Sequence, residues 1–158
     1  MIVLGIDPGL SLTGWGIVEV KNNKTIPIKY GCIRTKPSQT LINRLQSINS
    51  QLQKIIDEYR PSNAAIEELF FLKEAKTVAA VGQARGAIVL TIALNRIELF
   101  EYNPRRIKIA LTGYGSADKY QMQRMVKTLL SLKEIPQPDD AADALAVAVC
   151  HINSNKWS

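Results

Sequence analysis

The chain opens on an unbroken apolar run at residues 2–6 that stops at Asp7-Pro8-Gly9. A run without polar alternation reads as a central strand buried on both faces, and the turn residues that follow put Asp7 at the strand's end. Residues 14–20 and 25–35 read as two further strands joined around Asn22-Asn23, a dipeptide that tolerates the positive φ of a hairpin. From residue 41 to 59 the apolar positions Leu41, Leu45, Ile48, Leu52, Ile55 and Tyr59 recur in steps of four and three, with Ser38 or Thr40 as cap and Pro61 as stop. That spacing predicts an amphipathic helix.

Residues 64–70 form a short apolar segment interrupted by Glu67-Glu68 and are expected to be a strand lying beside the first. Residues 73–94 read as a helix rich in small side chains, 97–102 as a fifth strand, and 105–111, 117–130 (capped by Ser116) and 140–152 as three closing helices. The order βββαβαβααα predicts an α/β fold with a mixed five-stranded sheet flanked by helices, and 158 residues suit one compact domain.

Among the helices the last is unusual. Ala141-Ala142-Asp143-Ala144-Leu145-Ala146-Val147-Ala148-Val149-Cys150 is apolar all round except at Asp143, so the helix is expected to be buried. Asp140 and Asp143 are three apart and project from one side of its first turn. A cap role for Asp139 and Asp140 fits the helix dipole but leaves Asp143 unexplained. With Asp7 and Glu67 this makes four carboxylates at otherwise apolar sites, none beside a basic residue in sequence. Buried carboxylates must be paired, hydrogen-bonded or bound to metal. Four together suggest an oxygen-only site for Mg²⁺ or Mn²⁺, ions which in pairs stabilise the attacking and leaving oxygens of phosphodiester hydrolysis.

Composition narrows the chemistry further. Two cysteines far apart, Cys32 and Cys150, and one histidine, His151, exclude a zinc cage, a disulfide framework and a histidine-based nucleophile system. No apolar run is long enough to span a bilayer, and the N-terminus lacks a basic flank, so a cytoplasmic protein without a membrane partner is expected. The net charge is +6. Between Tyr102 and Lys133, Arg105, Arg106, Lys108, Lys119, Arg124, Lys127 and Lys133 face a single acid, Asp118, so this segment alone carries the whole excess. It is interrupted by the turn Gly113-Tyr114-Gly115-Ser116, an arrangement that can bring N–H groups and lysines to a phosphate chain.

These residues resemble the RuvC-type Holliday-junction resolvases across essentially the whole chain. The matching motifs are GIDPG at residues 5–9, GCIRT at 31–35, AIE at 65–67, GQARG at 82–86, FEY at 100–102, GSADK at 115–119 and DAADALA at 140–146. The resemblance implies a ribonuclease-H-like fold and a homodimer that nicks two opposed strands of a four-way DNA junction during recombination and repair. It implies two Mg²⁺ ions, with Mn²⁺ able to substitute, held by Asp7, Glu67, Asp140 and Asp143. It further implies Lys108 and Lys119 near the backbone being cut, Phe70 in contact with the junction, and a branch-migration helicase complex as partner. Read as core packing, Phe70 needs no DNA.

Three other readings stay open on the residues alone. A nuclease of the same fold acting on structured RNA shares the first strand and its acid. A sugar kinase or actin-like ATPase also begins with a strand ending in Asp and Gly, but needs a second domain to close over nucleotide. A non-catalytic junction-binding module would leave four carboxylates with no task, and uncompensated buried charge is unfavourable.

Overall fold

The computed structural model describes residues 1–68 and 75–155. Among them are five strands and five helices: β1 (Ile2–Asp7), β2 (Leu12–Lys21), β3 (Lys24–Arg34), α1 (Leu41–Tyr59), β4 (Asn63–Glu67), α2 (Ala75–Leu94), β5 (Glu98–Tyr102), α3 (Pro104–Thr112), α4 (Lys119–Leu129) and α5 (Asp139–Asn155). The sheet order is β3-β2-β1-β4-β5. Strand β2 runs antiparallel to both β1 and β3, while β4 runs parallel to β1 and β5 parallel to β4. This is the mixed sheet expected from the sequence.

Local chemistry explains most boundaries. Asn22 and Asn23 sit at φ 50 and 59, the two left-handed residues of a hairpin turn whose twist matches its strands. Thr40, not Ser38, caps α1 by accepting from the Asn43 N–H, and Arg60 closes the helix in the left-handed region before Pro61. At α4 the expected cap Ser116 gives way to Asp118, because only Asp118 builds a reciprocal box: its side chain accepts from the Gln121 N–H while the Gln121 side chain accepts from the Asp118 N–H. Strand β4 ends at Glu67, and residues 69 and 70 of the expected strand, Phe70 among them, lie outside the described residues.

Alternation along the strands sorts side chains into two cores. Leu4, Ile6, Ile17, Ala64 and Ile66 face α1 and α2, where they pack with Ile48, Leu52, Ala84, Ile88 and Ile92. Val3, Val18, Ala65, Phe100 and Tyr102 face the opposite side and meet α5, with α3 and α4 behind it. Helix α5 is buried from Ala141 to Ile152 apart from Asp143, as its all-round apolar sequence predicts. It lies so close to the sheet that two strand positions have no room for a side chain. A Cβ at Gly5 would stand 2.1 Å from the Ala144 carbonyl oxygen, and one at Gly14 would stand 1.9 Å from that of Asp140. Among the described residues no helix is long and apolar enough to cross a membrane.

Candidate active site

Parallel pairing of β1 and β4 brings Asp7 and Glu67, each the last residue of its strand, to the same sheet edge. Both belong to the face that α5 covers, since they lie two residues beyond Gly5 and Ala65. Gly14, the register partner of Asp7, touches the backbone of Asp140, so the first turn of α5 is laid across that edge. The absence of a side chain at Gly14 thus sets the approach of Asp140 and, one turn on, of Asp143.

The electrostatics show how near the four acids are. The Asp7 carboxyl is pushed up to about 8, first by burial and then by the charges of Asp143, Glu67 and Asp140; Lys119 opposes them. Burial also raises Asp143 despite Lys119 beside it. Cys32, across β2 from Asp7 in the register Gly14↔Cys32, is raised to about 11 by burial and by Asp140, and so remains an inert thiol. A buried carboxylate group with so little positive charge around it calls for a counter-ion.

Lys119, at the start of α4, provides part of that charge. Its ammonium lies 3.2 Å from Asp139 and 3.5 Å from Asp143. Burial alone would lower its pKa, but these two carboxylates outweigh burial and hold it above the ordinary lysine value. Asp139 also accepts from Gln123 one turn further along α4 at 3.0 Å. Asp139 is therefore more than the helix cap read from the sequence; it ties α4 to α5. The sequence signals available for this were the Asp139-Asp140 doublet and the i, i+4 pair Lys119 and Gln123.

Lys108 on α3 and Lys119 on α4 line one cleft with Glu67 and Asp143, its wall made apolar by Ile107, Met122, Ala146 and Val147. The structure thus brings together the four acids and both lysines singled out in the sequence. In the turn between α3 and α4 the N–H groups of Gly113 and Tyr114 are bonded to Ile109 and Thr112, and those of Ala117 and Asp118 to Tyr114 and Gln121, so these four amides are committed within the turn and its caps. Among the described residues no three acidic, histidine or cysteine side chains are drawn in tightly enough to form a ready-made metal cage. The donor set still fits a hard divalent cation, being all oxygen and short of positive charge.

The family model for the crossover junction endodeoxyribonuclease RuvC matches residues 3–151. A relative from Endomicrobium trichonymphae, a crossover junction endodeoxyribonuclease RuvC, is 68% identical over 100% of this chain and 84% of its own length. One of the same description from Desulforamulus reducens is 53% identical over 100% of this chain and 95% of its own. Thermus thermophilus RuvC in complex with Holliday junction substrate superposes with a TM-score of 0.94 at 34% identity, covering 99% of this chain and 96% of that one. With the ribonuclease-H-like sheet in place and the match running nearly end to end, the chain belongs to the RuvC family of crossover junction endodeoxyribonucleases.

Proposed function

We propose that the chain is a structure-selective endonuclease of one ribonuclease-H-like domain, resolving four-way DNA junctions by paired, metal-dependent hydrolysis in recombination and repair. The observation that carries this is the meeting of four carboxylates from three separate elements at one sheet edge, beside a cleft lined by two lysines. The family's activity and the Holliday junction bound by the Thermus thermophilus relative support it.

Asp7, Glu67, Asp140 and Asp143 are assigned to hold the cations, Mg²⁺ with Mn²⁺ able to replace it. When bound, a pair of such ions stabilises the attacking and leaving oxygens of an in-line displacement at phosphorus. The chain's own groups do the rest. Lys108 and Lys119 neutralise non-bridging phosphate oxygens as negative charge gathers in the transition state. Asp139 and Asp143 hold the Lys119 ammonium at the cleft, so it is oriented before the substrate arrives. Arg105, Arg106, Arg124, Lys127 and Lys133 supply sequence-independent attraction to the backbone. Phe70 is assigned to contact the junction.

Each chain has one such site, and two opposed nicks require two, so the protein acts as a symmetric dimer. The outward row of α2, with Ala79, Gln83, Gly86, Leu90 and Leu94 exposed, is the proposed interface, and open space over Gly82 and Gly86 admits a second backbone. Ala80 and Ala87 are only half-buried neighbours of this row. Junctions are delivered in the cytoplasm by a branch-migration helicase complex.

The test is a divalent-cation titration against cleavage of a synthetic four-way DNA junction, with a linear duplex and a folded RNA as controls. Junction-selective, cation-dependent paired nicking is expected. Cleavage of the RNA in preference to the junction would favour the RNA-directed reading, and tight binding without cleavage at any cation concentration would leave a binding module.

A further inference from the structure

The fully buried His151 lies on α5, eight residues beyond Asp143, and the mechanism above does not use it. Its Nδ1 is 2.8 Å from the hydroxyl of Tyr102, itself only 4% exposed at the end of β5. Burial lowers the imidazole's pKa and raises that of the phenol, so the hydrogen bond joins two uncharged groups. The imidazole also packs against Phe100, ring centres 4.4 Å apart. A directional polar pair set between α5 and the sheet, with Ser154 also bonded to Tyr102, gives up hydration that aliphatic side chains would not, while apolar contact alone fixes no direction.

What the pair directs is visible from its surroundings. Tyr102 is the register partner of Glu67, and its carbonyl accepts the Glu68 N–H at 2.9 Å, pinning the exit of β4 immediately after the acid. Its ring lies under the Arg106 guanidinium of α3 at 5.1 Å. The next residue, Asn103, caps α3 by accepting the Arg106 N–H at 2.8 Å. Helix α3 therefore leaves the sheet directly from Tyr102, and it carries Lys108 into the cleft with Glu67 and Asp143. A second tie, from Asn153 of α5 to the Ala110 carbonyl at 3.2 Å, holds the far side of α3 to the same helix.

We infer that Tyr102, hydrogen-bonded to His151, is a positioning residue that sets Lys108 of α3 against Glu67 and Asp143. The inference rests on the proposed role of Lys108 at the cleaved phosphate and goes beyond it by naming what aims that lysine.

A double-mutant cycle on single-turnover cleavage tests it, with enzyme in excess, time courses long enough to follow slow variants, and a temperature at which every variant is folded by circular dichroism. Tyr102→Phe is expected to slow cleavage about tenfold, in line with a sub-ångström displacement of a catalytic group, while junction affinity changes less than about twofold. In a Lys108→Ala background the same change should slow cleavage less than about twofold, because no lysine remains to be aimed. A merely structural role would slow both backgrounds equally, and that result overturns the inference while leaving the site assignment standing. Lys108→Ala cleaving at the parental rate would instead overturn the role of Lys108 itself. Should Tyr102→Phe fail to fold, His151→Asn, whose amide oxygen can accept from the hydroxyl, is expected to cleave within threefold of the parent, and His151→Leu about tenfold slower. Equal rates for these two would overturn the hydrogen bond's part.

Discussion

Replacing Gly14 by alanine tests whether close approach of α5 places the acids. The new Cβ would lie 1.9 Å from the Asp140 carbonyl oxygen and 2.4 Å from its carbon, where real Cβ contacts essentially never fall below 3.0 Å. Strand and helix must separate by about 1.1 Å, and because the obstruction is backbone, no side-chain rotation relieves it. Overpacking of this kind destabilises by about 1–3 kcal/mol, offset by about 0.4–1 kcal/mol from the stiffer unfolded chain. For a protein of this size a net loss of about 1–2 kcal/mol lowers Tm by roughly 2–8 °C. The larger effect is chemical. Asp140 and Asp143 move relative to Asp7 by about an ångström, a misplacement that can reduce turnover on the order of a hundredfold. Junction affinity, set by basic residues on α3 and α4, should change by no more than about threefold. Thermal unfolding, mobility shift and single-turnover cleavage report the three quantities. Parental cleavage with a Tm within about 1 °C of the parent would refute the claim that the missing side chain at Gly14 sets the site.

Asp143→Asn keeps the side chain's shape but removes a charge, so cleavage should collapse by at least about a hundredfold while junction binding survives; parental cleavage in Mg²⁺ would remove Asp143 from the site. Asp7 binds its proton up to about pH 8 in the fold against 3.8 unfolded, so without divalent cation its contribution to stability is complete below pH 3.8 and is lost as pH rises through 8. Tm in chelator should therefore fall between pH 5 and 8, Mg²⁺ should restore it, and Asp7→Asn should flatten the slope; an unchanged slope in that variant would count against a buried, proton-binding Asp7. Lys119→Ala should reduce cleavage more than affinity, and log K for binding should fall by roughly 0.9 per tenfold rise in salt for each phosphate contact; lost affinity with normal turnover of bound junction would make Lys119 an ordinary backbone contact. Leu90, 58% exposed on α2, offers a test of the dimer: Leu90→Glu should give a monomer by light scattering and uncouple the two nicks, and a dimer that still nicks in pairs would place the interface elsewhere.

The acids were legible in the sequence because each breaks an apolar pattern: Asp7 ends a featureless run, Glu67 interrupts a strand, and Asp143 is the one polar position in the run 141–150 of a buried helix. The place of β4 beside β1 and the hairpin of β2 with β3 followed from the same patterns, while the place of β5 did not. Contacts between distant segments were not legible. Nothing local distinguishes Gly14 as a position pressed on a helix more than a hundred residues away, or assigns Asp139 to Lys119, or Tyr102 to His151. The cap of α4 was misread because Ser116 and Asp118 are both good caps, and the Gln121 side chain decides between them. The outward row of α2 was equally hidden: apolar residues fall on every side of the helix, so the helix period marks no face until Ala84, Ile88 and Ile92 are seen against the sheet.

The hairpin at Asn22-Asn23 has a practical consequence. Register pairs Ile2 with Glu19 and Asp7 with Gly14, so the tip lies beyond the start of β1, at the opposite end of the sheet from the acids. Six strand residues at about 3.3 Å each put roughly 20 Å between them. Both asparagines are exposed, and a two-residue turn needs no particular side chain once its left-handed backbone is met. A fluorophore or surface tether attached there would report on single molecules cutting DNA from the end of the sheet opposite the acids.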